Sequence, residues 1–271
     1  MIYLLFSILF NGLIFLIFRL LKSRDVDVLP TLIINYVVAG LFGFALHPDQ
    51  VLGGTPPQIG LAVAFGALFI VVFFLMARSS IQYGMGFSSV LTKLSMIIPV
   101  VGAVLLLDDH FSTNGFLGFC IAIPAIFLLI KIEKREREFS WIPLLLFLGS
   151  GTIDLGLKWT DIHVLTHWSV EGFIPIVFSA AALLGLVFLK KPTSKRYLFW
   201  GVVLGLVNYG SMWFMLKAMA GLSASIFFPF QNLGIITFST LLGLFLFKES
   251  FTRKQQIGLL LSCIAIGLMS W

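Results

Sequence analysis

Ser88-Ser89-Val90-Leu91-Thr92-Lys93-Leu94-Ser95-Met96-Ile97-Ile98-Pro99 sits inside an apolar run that extends from about Gln82 to Leu107. Spanning the hydrocarbon core of a bilayer, about 30 Å thick, takes about 20 apolar residues, and this run is long enough. Lys93 then falls near the middle of a membrane span, where a lysine costs roughly 2.5–3.5 kcal/mol to insert. A lysine can escape that cost by stretching its stem to the headgroups. Here about eleven residues separate it from the start of the run and about fourteen from its end. At 1.5 Å per residue, the shorter way out is roughly 16 Å. The position therefore predicts a side chain that faces a bundle interior or a wet cavity, the usual place for an ionisable group in a span.

The rest of the chain agrees with a membrane setting. Of 271 residues, 59% are hydrophobic and 11% charged, and the mean hydropathy is +1.05. A soluble domain would be about 25% charged, so that class is excluded. The net charge of +6 does not require a nucleic acid, because the basic residues gather in short loops between apolar runs. Cys120 and Cys263 both lie within such runs and form neither a disulfide framework nor a metal motif.

Apolar runs of spanning length fall near 2–20, 29–47, 58–77, 82–107 and 113–131, and again near 140–158, 170–190, 197–217, 222–247 and 254–271. The expected fold is an all-α membrane protein with ten transmembrane helices. The first run ends at Arg19-Leu20-Leu21-Lys22 with no small-residue cleavage site, and reads as a retained span. One strongly polar segment, Lys131-Ile132-Glu133-Lys134-Arg135-Glu136-Arg137-Glu138, divides the chain near its centre. The expected organisation is a first five-helix repeat over 1–131, a charged linker over 132–139 and a second repeat over 140–271.

The two sides resemble each other. Shifted by about 140 positions, Asp109-His110-Phe111-Ser112-Thr113 lies over Glu249-Ser250-Phe251-Thr252-Arg253, and Leu117-Gly118 over Ile257-Gly258. Gly86-Phe87-Ser88 matches Gly221-Leu222-Ser223, Asn11-Gly12 matches Ser150-Gly151, and Arg19 matches Lys158. Five spans per copy is an odd number, so the second copy must lie upside down relative to the first. Inverted repeats place a substrate site near the midplane between them, and Lys93 is at that depth.

Orientation follows from the basic residues. Of the 18, Lys93 and Lys158 lie within spans, Lys217 lies on one side, and the remaining fifteen share the other if the loops alternate. The bias puts the linker in the cytoplasm and both termini outside. His163 and His167, with Asp161 near, could hold a metal, but free interfacial histidines are commoner and no metal site is assigned.

The chain resembles the drug/metabolite transporter superfamily, and among its members the ten-helix bacterial transporters with two EamA-type repeats. The features that carry the resemblance recur in each half: a Gly-x-Ser entry to the fourth helix, a Pro within it (Pro99, Pro229), an acid in the following loop (Asp109, Glu249) and a Gly early in the fifth (Gly118, Gly258). The resemblance implies a multi-pass protein of the bacterial inner membrane that moves small metabolites, many such relatives being exporters or exchangers. Relatives are often described with cytoplasmic termini, whereas the charge count on this chain puts them outside. The small multidrug resistance relatives carry a Glu in the first helix; this chain has Asn11. That departure argues against proton-coupled export of lipophilic cations.

Other polar groups within spans complete the candidate substrate site. Asp154 and Lys158 are four apart, which places them on one helix face and predicts a pair. Gln231 and Asn232 follow Pro229, where a freed carbonyl and polar side chains coincide. Asn35 and Tyr36, together with Asn208, Tyr209 and Trp213, offer amide, phenol and indole groups that serve equally well as helix-packing contacts. Glu171 reads as interfacial. The expectation is a secondary carrier that alternates access for a small polar, anionic or zwitterionic metabolite such as an amino acid or organic anion, with export or exchange the favoured direction. The preference for an anion rests on Lys93. The alternatives are a flippase for a lipid-linked sugar or headgroup, and a membrane scaffold without transport. No HExxH, paired-Asp or GxSxG motif supports an enzyme, and no cofactor is implied. The partners are then the substrate and the bilayer, and two fused repeats suffice for a working monomer.

Overall fold

In the computed structural model the described residues are 1–83, 85–110, 112–130, 140–187, 195–247 and 252–269. The charged linker 132–139 and the second-half acid Glu249 lie outside them. Among the described residues every regular element is an α-helix. In chain order these are α1 (Ile2–Ser23), α2 (Val28–Leu46), the short α3 (Pro48–Leu52), α4 (Pro56–Tyr83), α5 (Met85–Leu94), α6 (Ile97–Leu106), α7 (Thr113–Leu129), α8 (Ile142–His163), α9 (Val170–Leu186), α10 (Arg196–Met219), α11 (Ala224–Phe247) and α12 (Arg253–Met269). With α5 and α6 taken as one interrupted segment, seven are long and apolar enough to cross a bilayer, and α7 and α9 are apolar but shorter. The chain is an all-helical protein of multi-pass membrane character.

Helices lie over the apolar runs read from the sequence, with three departures. The third run continues as α4 through 28 residues to Tyr83. Ala77-Arg78-Ser79-Ser80-Ile81-Gln82 contains no Gly or Pro to stop it, so the expected loop near 78–81 is absent. Arg78 instead lies over the Phe74 ring, 5.1 Å from its centroid. Second, α3 was not foreseen; Pro48 opens it and Asp49 occupies its first turn. Third, the run 82–107 is not one helix but two, interrupted at Ser95 and Met96. Proline alone does not make the break, since α11 continues through Pro229, as α7 does through Pro124 and α9 through Pro175.

By backbone proximity the chain forms two compact units, one of Met1–Ile70 with Thr160–Ala220 and one of Val71–Trp159 with Gly221–Trp271. Each draws helices from both sides of the central linker, so compactness follows a different division from the sequence repeat.

The first unit contains α1, α2, α3, α9, α10 and the beginning of α4. Close packing between helices in a bilayer needs small residues, because apolar side chains gain nothing by leaving lipid. Gly201 and Gly205 supply them on α10: a Cβ at Gly205 would stand 2.8 Å from the Asn35 backbone oxygen, and one at Gly201 would stand 2.6 Å from Ile34. Gly40 of α2 meets Ser179 of α9 in the same way, and Gly66 of α4 meets Ala180. Aromatic contacts fill the wider gaps, Phe6 stacking on Phe214 at 5.0 Å and Phe65 meeting Phe173 edge-on at 5.8 Å. Trp168 donates its indole N–H to the Gln50 carbonyl at 2.8 Å, and Ser169 Oγ donates to Gln50 Oε1 at 2.9 Å, which ties α3 to the start of α9.

The second unit contains the end of α4, α5, α6, α7, most of α8, α11 and α12. α7 and α12 form its closest pair. Gly118 lies against Ala265 and Met269, Gly258 against Leu128 and Leu129, and Gln255 Nε2 donates to the Leu129 carbonyl at 3.3 Å. α6 ends with Asp108 in the left-handed region at φ 53°, a conformation that Asp tolerates better than most residues. Asp109 follows, and its Oδ2 accepts from the backbone N–H of Ser225 at 3.0 Å, satisfying one of the open donors at the start of α11.

Candidate functional site

The interruption between α5 and α6 is built from ordinary hydrogen-bond chemistry. Pro99 has no N–H to offer the Ser95 carbonyl four residues before it. That carbonyl accepts from Ile98 instead, at 2.9 Å, and the Lys93 carbonyl accepts from Met96 at 3.4 Å. Both are the tighter three-residue bonds that mark a strained or hinged helix. Two hydroxyls bend the segment further by bonding back into the preceding turn: Ser95 Oγ donates to the Thr92 carbonyl at 2.8 Å and Thr92 Oγ1 to the Ser89 carbonyl at 3.1 Å. Ser88 Oγ donates to Ser79 Oγ at 2.7 Å and anchors the upper part of α5 to α4.

Lys93 lies in the last turn of α5, beside this break. A cation at that position is favoured by the negative end of the half-helix. α8 runs directly against the break. A Cβ on Gly151 would stand 2.8 Å from the Ser95 carbonyl oxygen and 2.6 Å from the Ile98 Cβ, so only glycine allows the approach. Gly102 of α6 meets Leu155 on the same helix. Asp154 follows Gly151 by three residues, which is one turn along the same face. It interacts electrostatically with Lys93, and both side chains are half-buried, retaining accessible surface. Lys93 beside the break and Asp154 on the helix packed against it both lie within segments apolar enough to span a membrane.

Lys158 was expected to pair with Asp154. Its ammonium donates to the Leu222 carbonyl at 3.0 Å, just before α11, and the charge acting on Asp154 is Lys93. The long lysine stem reaches the next helix where the short aspartate cannot. Gln231 and Asn232 are buried in α11; Asn232 Nδ2 donates to the Phe228 carbonyl of its own helix at 3.1 Å.

The other expected site residues belong to the first unit. Asn208 Nδ2 donates to Asn35 Oδ1 at 3.1 Å and joins α10 to α2. Asn35 is fully buried, and its own Nδ2 has no partner among the described residues. Tyr36 stacks on Phe178 at 5.9 Å, and Tyr209 meets Phe42 edge-on at 5.2 Å. Asn11 Nδ2 donates to the Ser7 carbonyl one turn back. These contacts are those of helix packing.

One cluster was foreseen only through Trp213. Glu171 Oε1, read from the sequence as interfacial, accepts from Trp213 Nε1 at 2.8 Å and from Lys217 Nζ at 3.0 Å. The Lys217 ammonium also lies over the Trp213 ring, and Tyr3 of α1 meets that ring edge-on at 5.9 Å. The signal available was Lys217 itself, the one basic residue on its side of the predicted topology. Asp109 was likewise read only as a loop acid and proves to cap α11.

No family model matches the chain. An uncharacterised protein of Haemophilus influenzae (strain ATCC 51907 / DSM 11121 / KW20 / Rd) is 22% identical over 280 residues, an alignment covering 97% of this chain and 95% of that one. A protein of known crystal structure superposes with a TM-score of 0.79 over 98% of this chain and 94% of its own, at 12% identity. The helical arrangement is thus shared with a solved structure over nearly the whole length of both chains.

Proposed function

We propose that this protein is a secondary carrier of the bacterial inner membrane that alternates access for a small anionic or zwitterionic metabolite, with Lys93 and Asp154 at its centre. The observation that carries the reading is Lys93 beside a break in a helix, with α8, the helix of Asp154, packed against that break. Discontinuous helices at membrane depth leave backbone groups that must be satisfied by protein, water or ligand, and in carriers they mark the substrate site. An ammonium donates to a carboxylate or phosphate as readily as to Asp154.

The helix pairing supports an inverted repeat of five spans, as in the EamA-type transporters of the drug/metabolite superfamily that the sequence resembles. Numbered by span, α2 and α9 are equivalent, as are α7 and α12. In the first unit Ile33 lies by Gly185 and Gly43 by Pro175, so α2 and α9 run antiparallel. In the second, Gly118 lies by Met269 and Gly258 by Leu129, so α7 and α12 do too. Two equivalent helices that pair antiparallel are related by inversion. The parallel contact of α10 with α2 has its own equivalent in α4 with α9, where Phe65 meets Phe173 and Gly185 approaches Ile70.

The test is a thermal-shift screen of the purified protein against amino acids, nucleotides and organic phosphates, followed by uptake of the hits into proteoliposomes, each repeated on Lys93→Met. A ligand at 100 times its dissociation constant stabilises by about 2.7 kcal/mol, enough to read as a shift of several degrees. The expected result is a stabilising, transported ligand whose effect is lost in Lys93→Met. Equal stabilisation of both proteins removes Lys93 from the site, and response only to lipophilic cations overturns the anion reading.

A further inference from the structure

Within the first unit, the end where α9 begins and α10 finishes holds a cation in a setting made for one. Glu171 lies in the first turn of α9 and Lys217 in the last turn of α10. The Lys217 ammonium stands 3.0 Å from Glu171 Oε1 and 5.5 Å from the centroid of the Trp213 ring, so one cation meets a carboxylate and an aromatic face together. Proteins bind amines from outside with the same two groups: the carboxylate supplies opposite charge and an acceptor, and the indole face supplies the attraction of its ring quadrupole.

The carboxylate and the ring are held without the lysine. Trp213 Nε1 donates to the same Glu171 oxygen at 2.8 Å, and Tyr3 and Phe214 meet the indole edge-on at 5.9 and 5.0 Å. Glu171 has little access to water, and the start of a helix favours its charge. The lysine is held less firmly. Its side chain is a third exposed on a flexible four-carbon stem, and the last carbonyls of α10 offer its ammonium another place to rest. The surroundings also favour cations. Among the described residues of this unit, the same end carries Asp49 in α3 and Asp161 near the end of α8, and Lys217 is its only Lys or Arg. Arg196 and Arg24, which lies over Trp200, belong to the far end of α10. An excess of one sign of charge concentrates ions of the other.

We infer that Glu171 and Trp213 form a binding site for an organic ammonium group, primary or quaternary, and that Lys217 is a tethered occupant which the ligand displaces. The ligand cation takes the place beside Glu171 Oε1 and over the indole, and the Lys217 ammonium moves out into water. A free amine and an aminophospholipid headgroup share this chemistry. The site is separate from Lys93 and requires no transport.

Methylammonium and tetramethylammonium chlorides serve as probes, with sodium chloride at equal ionic strength as the control. Binding is read from the thermal stability of the full-length protein in a non-ionic detergent at neutral pH as the salt concentration rises. Lys217→Ala, which removes the occupant, should be stabilised in a saturable way by at least one ammonium salt beyond the effect of sodium. The wild type should respond at about tenfold higher concentration, because a tethered competitor leaves only a fraction of the site open. Glu171→Gln/Lys217→Ala should lose the response. If Lys217→Ala does not fold, the wild type compared with Glu171→Gln makes the same test. No excess over sodium, an excess that survives loss of the carboxylate, or equal affinity in the wild type and Lys217→Ala overturns the proposal. Bilayers then separate the two sources of ligand. A methylammonium response of Lys217→Ala that is present in phosphatidylglycerol and absent in phosphatidylethanolamine identifies the lipid headgroup as the ligand, and an equal response in both identifies a free amine. A negative result leaves the carrier reading, which turns on Lys93, intact.

Discussion

Glu171, Lys217 and Trp213 show how unequal two bonds to one carboxylate oxygen can be. Lys217 is a third exposed, with side-chain accessibility of 33% against 13% for Glu171. Partly solvated ion pairs contribute about 0.2–1 kcal/mol, because water screens them and the lysine stem must be ordered. The indole N–H is a neutral donor to a charged acceptor with less access to water, worth about 1.5–3 kcal/mol. Trp213→Phe keeps the ring contacts with Tyr3 and Phe214 and removes only that donor. It is expected to destabilise the protein more than Lys217→Met, by about 1–2 kcal/mol, in thermal or denaturant unfolding at neutral pH. A larger loss for Lys217→Met would show that the ion pair, and not the indole, holds α9 to α10. The partners are 42 residues apart in the chain, which is why an acid that reads as interfacial in the sequence gains its partners only in the fold. Lys93 was different: an ammonium in an apolar run is conspicuous without any knowledge of its neighbour.

Glycines separate into those that two helices need and those they do not. Gly205 sits where α10 meets α2, and an added methyl would stand 2.8 Å from a backbone oxygen that cannot rotate away. Gly60 of α4 has nothing within 4 Å of the same methyl. Gly205→Ala is expected to cost about 1–3 kcal/mol by forcing the two helices apart. Gly60→Ala should stabilise by about 0.5–1 kcal/mol, since alanine gives up less backbone freedom within a helix. Melting temperatures of the two variants check both signs, and destabilisation by Gly60→Ala would mean that its face is covered. Hydropathy alone located the helices, because a spanning run is a local property. It could not place the end of α4, where polar residues without Gly or Pro stay helical, nor the break at Ser95. The two prolines look equivalent in the sequence, yet α11 runs unbroken through Pro229 while the other run is interrupted at Ser95 and Met96, ahead of Pro99.

Topology ties these elements to a membrane. Fifteen of the basic residues fall on one side of the predicted alternation and Lys217 on the other, an asymmetry that the positive-inside rule reads as cytoplasmic. The sequence repeat and the antiparallel pairing of α2 with α9 and of α7 with α12 are consistent with an odd number of spans per copy. An odd number puts the central linker opposite the N-terminus. The orientation is open to a direct measurement. With Cys120 and Cys263 replaced by serine, a single cysteine is introduced at Thr55, exposed between α3 and α4, or at Glu136 in the linker. A membrane-impermeant maleimide applied to intact cells should label Thr55→Cys within minutes and leave Glu136→Cys untouched until the membrane is opened. The reverse pattern would place the basic side outside and set the charge count aside. Labelling of both from outside would mean an even number of spans between them, which no arrangement of five spans per inverted copy allows, and the repeat reading would fall with it.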